Sequence, residues 1–176
     1  MNCNELLEYV AALALFDGYF DLRKRREHIV IADASYEFLY GICENLTRCG
    51  ISCNVKPDKR SKMYRLRIYG KERVLSLRQI AEKLLEEPNH IFLAASFDAE
   101  GTVTKGRGQP LRLRIIQKEG PKADAIRRAL EKLEIPHLVV RRKGGYLEFV
   151  ISSKENVFKF LSYVPVKHPK VRRIFS

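Results

Sequence analysis

Apolar and polar positions alternate along this chain with two periods, and the order of those periods occurs twice. Residues 5–18 are apolar nearly all round, as in a helix buried on most sides. Two short extended segments follow, Tyr19–Arg25 and His28–Asp33, joined by a basic turn. Ala34-Ser35 opens a helix with Phe38, Leu39, Ile42, Cys43 and Leu46 on its apolar side, and Gly50 is placed to cap its end. Ile51–Lys56 and Met63–Tyr69 alternate apolar with polar around a Pro57-Asp58 turn. Arg73–Glu87 is amphipathic with helical period and is stopped by Pro88.

The second half repeats the order. His90–Glu100 predicts a helix, and Thr102–Lys105 and Leu111–Gln117 predict strands around the loop Gly106-Arg107-Gly108-Gln109-Pro110. Pro121 suits the first turn of a helix whose stripe includes Ala125, Leu130 and Leu133. His137–Arg142 and Tyr146–Ile151 form a hairpin across Lys143-Gly144-Gly145, and Glu155–Tyr163 closes the chain as a helix. Each half reads αββαββα, which predicts an α+β protein with a duplicated module, residues 1–87 and 88–176.

The strands carry the first chemical signal. In Tyr64-Arg65-Leu66-Arg67-Ile68 and Leu111-Arg112-Leu113-Arg114-Ile115 the aliphatics share one face and the guanidinium groups the other. Ser52, Asn54 and Lys56 extend the polar face in the first half. Tyr19, Asp21, Arg23 and Arg25, then Thr102 and Thr104, occupy the corresponding side near the first helix of each half. Arg107 in its loop and Arg141 and Lys143 at the hairpin complete the candidate nucleic-acid contacts. Arginine forks onto guanine edges and phosphates, whereas a solvated antiparallel face needs no ligand at all; recurrence in both halves favours the first reading.

Net charge sharpens this. The chain carries a formal +12, made of 15 Lys+Arg against 13 Asp+Glu in residues 1–87 and 18 against 8 in residues 88–176. A surplus concentrated in one half favours a polyanion, nucleic acid ahead of a membrane surface. The apolar run near the start follows Glu5 and Glu8 and is broken by Asp17, unlike a signal peptide, and it is too short to span a bilayer. Cys3, Cys43, Cys49 and Cys53 lack the paired spacing of a zinc knuckle; Cys43, on the apolar side of its helix, and Cys53, alternating with Ile51 and Val55, read as small core residues, and a reduced, cytoplasmic protein is expected.

The remaining signal is Phe92–Gly101, F-L-A-A-S-F-D-A-E-G, with a weaker copy at Val10–Phe20, V-A-A-L-A-L-F-D-G-Y-F. Setting Asp17 against Asp98 separates the copies by 81 residues and places Ala14 and Gly18 opposite Ala95 and Ala99. Small residues four apart let two helices cross closely, which makes these four the expected interface between the repeats.

The second copy closely resembles the LAGLIDADG motif of homing endonucleases, and the first resembles a degenerate one. Ile115–Lys118 (I-I-Q-K) and His168–Lys170 (H-P-K) are smaller matches. The resemblance implies a monomeric, single-chain pseudo-twofold protein whose motif helices join the halves and whose two sheets form a saddle over duplex DNA. It also implies an acidic residue at the eighth motif position of each copy, holding Mg²⁺ for strand cleavage. In the 81-residue alignment Glu100 fills that position, whereas the first copy has Tyr19 there and Phe20 in place of glycine.

Tyrosine is a poor Mg²⁺ ligand, so the expectation is duplex DNA binding, favoured over RNA, with cleavage lost or impaired. Asp21, two residues on, is a substitute ligand and catalytic candidate, and Asp17 and Asp98 read as structural. Gln117 matches a polar residue that positions water, and Lys118, Lys154 and Lys71 are candidates for a basic residue near the scissile phosphates. Two alternatives stay open: an active or nicking Mg²⁺-dependent endonuclease using Glu100, and an RNA-binding maturase or RNA-processing module.

Overall fold

The computed structural model describes residues 1–23, 27–106 and 109–174. Two compact units divide the chain, residues 1–82 and 83–176.

In the first unit the elements run α1 (Cys3–Phe16), β1 (Gly18–Asp21), β2 (His28–Asp33), α2 (Tyr36–Arg48), β3 (Cys53–Pro57), β4 (Tyr64–Tyr69) and α3 (Lys71–Glu86), the last continuing into the second unit. Asn2 caps α1 by accepting the Glu5 N–H, and Glu5 returns the bond to the Asn2 N–H. Ser35 caps α2 through Phe38 N–H at 3.2 Å, and Gly50, at φ +74°, follows its end in the left-handed region that glycine occupies without strain. The four strands form an antiparallel sheet in the order β1-β2-β4-β3. Ile29, Ile31, Leu66 and Ile68 are buried on one face of it, and α2 packs there with buried Phe38, Leu39, Ile42 and Leu46.

The second unit repeats this: α4 (His90–Glu100), β5 (Gly101–Gly106), β6 (Gln109–Lys118), α5 (Pro121–Lys132), β7 (Leu138–Arg142), β8 (Tyr146–Ser152) and α6 (Lys154–Tyr163). Its sheet has the order β5-β6-β8-β7, the same as the first. Leu113, Ile115, Phe149 and Ile151 are fully buried on the helix side, as are Val157 and Phe160 of α6. A 3₁₀ turn, Pro169–Ile174, ends the described chain and packs on β5. β6 begins at Gln109, which pairs with Gly106, so Gln109 and Pro110 of the expected loop belong to the strand, and residues 107 and 108 lie outside the described residues. No helix among the described residues is long and apolar enough to cross a membrane.

The cysteines correct the sequence reading. Cys3 pairs with Cys49 and Cys43 with Cys53, leaving no free thiol. The expectation of reduced cysteines rested on spacing, but these pairs are made by tertiary contact: the first residue of α1 meets the residue after α2, and α2 meets β3. Disulfides of this kind persist in oxidising compartments and in the cells of hyperthermophiles.

Candidate nucleic-acid interface and motif ends

Each motif helix runs into its first strand through a glycine that sterics require. A Cβ on Gly18 would come closer than 3.0 Å to the Val30 carbonyl oxygen, and one on Gly101 would come as close to the Phe97 carbonyl oxygen. Backbone cannot yield at such distances, so only glycine fits where the chain turns back on the helix. Gly18 opens β1 opposite Ile31, and Gly101 opens β5 opposite Ile115. The two glycines are therefore the same position, and 101 minus 18 gives an offset of 83 residues.

That corrects the 81-residue alignment. With the glycines superposed, Asp17 corresponds to Glu100, the residue immediately before the strand in each repeat. Tyr19 corresponds instead to Thr102, and both lie on the open sheet face, paired with Val30 and Arg114. Asp98 corresponds to Leu15. Asp17, not Tyr19, therefore holds the position of Glu100 in the first repeat, and Asp17 and Asp98 are not equivalent acids.

Around Glu100 the second unit supplies charge and shielding. The carboxyl is half-buried, and this burial raises it above the ordinary range, opposed by the positive charges of Lys122 and Lys170. Lys170 donates to the Gly101 carbonyl at 2.9 Å and lies 5.6 Å from the centre of the Phe97 ring. Asp98 is buried and accepts the backbone N–H groups of Lys167 (2.8 Å) and His168 (3.1 Å), tying the C-terminal segment to the motif helix. His168 Nδ1 in turn accepts from Lys170 N–H at 3.0 Å, which places the lysine. Asp98 thus has the structural role expected of it, and His168 helps to hold the C-terminal segment.

Asp21 does not stand open as a ligand. It is buried, and the exposed Arg23 side chain grips both of its oxygens, with the Arg23 backbone N–H adding a bond at 3.1 Å. These bonds hold the carboxyl well below the usual range. Gln117 pairs with Leu147 near the end of β6, and its Oε1 is buried without a hydrogen-bond partner. Ala14 and Ala95 are buried in their helices, and Ala99 is half-buried.

The open sheet faces hold most of the expected nucleic-acid residues. On the first sheet, register rows join Asn54 with Arg67 and Lys56 with Arg65. Arg65 is engaged by Asp58 at 2.8 Å, whereas Arg67 Nε and Asn54 Oδ1 are buried and unbonded. On the second sheet, Thr102 and Thr104 sit beside Arg114 and Arg112, whose Nε atoms also lack hydrogen-bond partners. Buried donors without acceptors are costly, and a cluster of them on a basic face is complementary to an anionic, acceptor-rich ligand.

One assignment moves. Arg141 pairs with Leu147 on the helix side of the sheet and bonds Glu119 at 2.7 Å, while the adjacent Arg142 takes the open face. Lys143 is exposed in the hairpin turn. Arg25 and Arg107 lie outside the described residues. Sequence reasoning missed Glu148, a buried acid on the open face that bonds Arg142 Nε at 2.6 Å and lies 3.6 Å from Arg114 Nε; its alternation with Leu147 and Phe149 was the available signal.

A family model described as a LAGLIDADG-like domain matches residues 4–81 and again residues 87–165, with starts separated by the same 83 residues. The chain belongs to the LAGLIDADG-like family. Among solved structures, full-length DUF199/WhiA from Thermatoga maritima is similar with a TM-score of 0.67 and 16% identity, over 97% of this chain and 59% of that one. This chain thus spans about three fifths of that protein's length. I-DmoI, solved in complex with DNA and Mn, matches with a TM-score of 0.67 and 17% identity over 95% of this chain and 99% of its own. The N-terminal LAGLIDADG domain of DUF199/WhiA gives 0.65 and 16%, over 100% and 88%. At such identities the likeness shows the duplicated LAGLIDADG fold. No curated protein sequence matches the chain.

Proposed function

We propose that this LAGLIDADG-like chain binds duplex DNA through the arginine-bearing open faces of its sheets and hydrolyses it with a divalent cation. One observation carries the reading: each repeat presents a carboxylate, Asp17 or Glu100, immediately before a glycine that sterics make irreplaceable. The expected loss of cleavage rested on Tyr19 standing in for an acid, and Tyr19 is a sheet-face residue. I-DmoI, with the same fold, is a protein solved with DNA and Mn.

The donor set suits Mg²⁺. Among the described residues no three His, Cys, Asp or Glu side chains gather as a closed protein cage. Mg²⁺ ordinarily takes one or two carboxylates and completes its shell with water and substrate phosphate, so Asp17 in the first repeat and Glu100 in the second would each serve as a carboxylate ligand. Bound there, the ion would polarise a phosphodiester and lower the pKa of water. Lys170 and Lys122 add positive charge beside Glu100, suited to phosphate, and Gln117 Oε1 is an acceptor left for a water. B-form DNA is favoured over RNA because its wide major groove admits a sheet face, whereas the A-form groove is deep and narrow.

Binding without cleavage is the second reading, favoured by the burial of Glu100, whose desolvation weakens its anionic form. Incubating the chain with a randomised duplex library and Mg²⁺, against an EDTA control and a structured-RNA arm, separates them. Double-strand breaks that need the metal support hydrolysis; salt-sensitive DNA retention without breaks supports the second reading. Retention of RNA alone, or of neither, overturns both.

A further inference from the structure

The outer strands of the two sheets differ on the open face. β3 presents Asn54 and Lys56, whereas β7 presents Leu138 and Val140. Leu138 is 63% exposed and Val140 38%, and Ile116 on β6, joined to Val140 through Glu148, is 37% exposed. This is not stray core, because the core of the sheet lies on the other face with fully buried Phe149 and Ile151. Leu138 and Val140 line one depression of about 200 Å³ on the open face together with Arg112, Arg114, Arg142 and the Glu148 carboxylate, and Ile116 lies outside it on the same face.

An apolar strip beside two half-buried guanidinium groups, one of them ion-paired with Glu148, suits a partner offering both acceptors and methyl groups. The half of the chain that carries it has 18 basic residues against 8 acidic, which selects a polyanion over an apolar protein surface. Duplex DNA has both features in one groove: guanine N7 and O6, or phosphate, as acceptors, and the thymine C5 methyl as an apolar contact. RNA lacks that methyl. We infer that the second repeat reads thymine methyl groups with Leu138, Val140 and Ile116, next to acceptors taken by Arg112 and Arg114, while the first repeat reads its half-site by polar contacts. This rests on the DNA-binding reading and makes the target asymmetric in a stated way.

The probe is a randomised duplex pool synthesised with dTTP, selected on the full chain in parallel with a pool synthesised with dUTP, which pairs identically but has no C5 methyl. The wild-type chain enriches thymine within one half-site of the first pool only. Replacing dT by dU in the selected duplex weakens binding about fourfold per methyl contact. Leu138→Ser combined with Val140→Ser, both at exposed positions, removes that difference while thermal melting and the other half-site's preference stay unchanged. Equal affinity of the wild-type chain for the dT and dU forms overturns the inference with the DNA-binding reading intact. Enrichment from neither pool overturns the DNA-binding reading itself.

Discussion

The two repeats reach the same helix-to-strand junction and support it by different means. In the first, two disulfides tie α1 to the end of α2 and α2 to β3. In the second, the described chain has no cysteine, and polar bonds do the fastening: Asp98 holds the C-terminal segment, which delivers Lys170 to the Gly101 carbonyl. At the Asp98 position the first repeat has Leu15. What both keep is the carboxylate followed by glycine, which points to the junction as the shared function and to the fastenings as interchangeable.

Reduction should break the comparison most. Closing loops of 46 and 10 residues removes unfolded-state entropy worth about 4 and 3 kcal/mol by the chain-entropy estimate. Hydrogen exchange with and without reductant should therefore show protection falling in residues 1–82 while residues 83–176 keep theirs. An equal fall in both repeats would contradict the division of labour.

Asp98→Asn comes next. The neutral amide loses charge-assisted bonds to two N–H groups, at a cost of about 1–3 kcal/mol. Exchange should quicken across residues 167–174, with the first repeat unaffected; unchanged protection there would show that Asp98 does not anchor the segment.

Glu100→Gln has the smallest effect on stability, and its sign is informative. Burial raises the folded carboxyl above its ordinary 4.5, so the folded state binds that proton more tightly than the unfolded state. The ionised form therefore costs stability above the folded pKa, and the cost disappears as pH falls below 4.5. The glutamine variant should melt slightly higher than wild type at neutral pH and equally with it in acid. A lower melting point at neutral pH would make Glu100 a structural residue.

Much of the fold was legible in the sequence because strands and helices here have clear periods. Arg65 and Arg67 alternate with Leu66 and Ile68 as a half-buried strand must, and Pro121 and Gly50 mark helix ends as their backbone chemistry requires. The repeat register was not, since α1 and α4 are apolar all round and give an alignment no phase. Two aspartates then made a plausible but false match, whereas the dipeptides Asp17-Gly18 and Glu100-Gly101 held the right one, visible once sterics showed why glycine is needed. Disulfide partners 46 residues apart, and the choice between Arg141 and Arg142, depend on tertiary contact and strand register that neighbouring residues do not encode.

The central claim is that Asp17, not Tyr19, is the counterpart of Glu100. The most direct test compares Asp17→Asn, Glu100→Gln and Tyr19→Phe in Mg²⁺-dependent cleavage of a duplex selected by the wild-type chain. Each acid-to-amide change is expected to abolish double-strand cleavage, with a loss on the order of 100-fold or more, while DNA retention persists and Tyr19→Phe cleaves as wild type does. Wild-type cleavage by Asp17→Asn would contradict the claim.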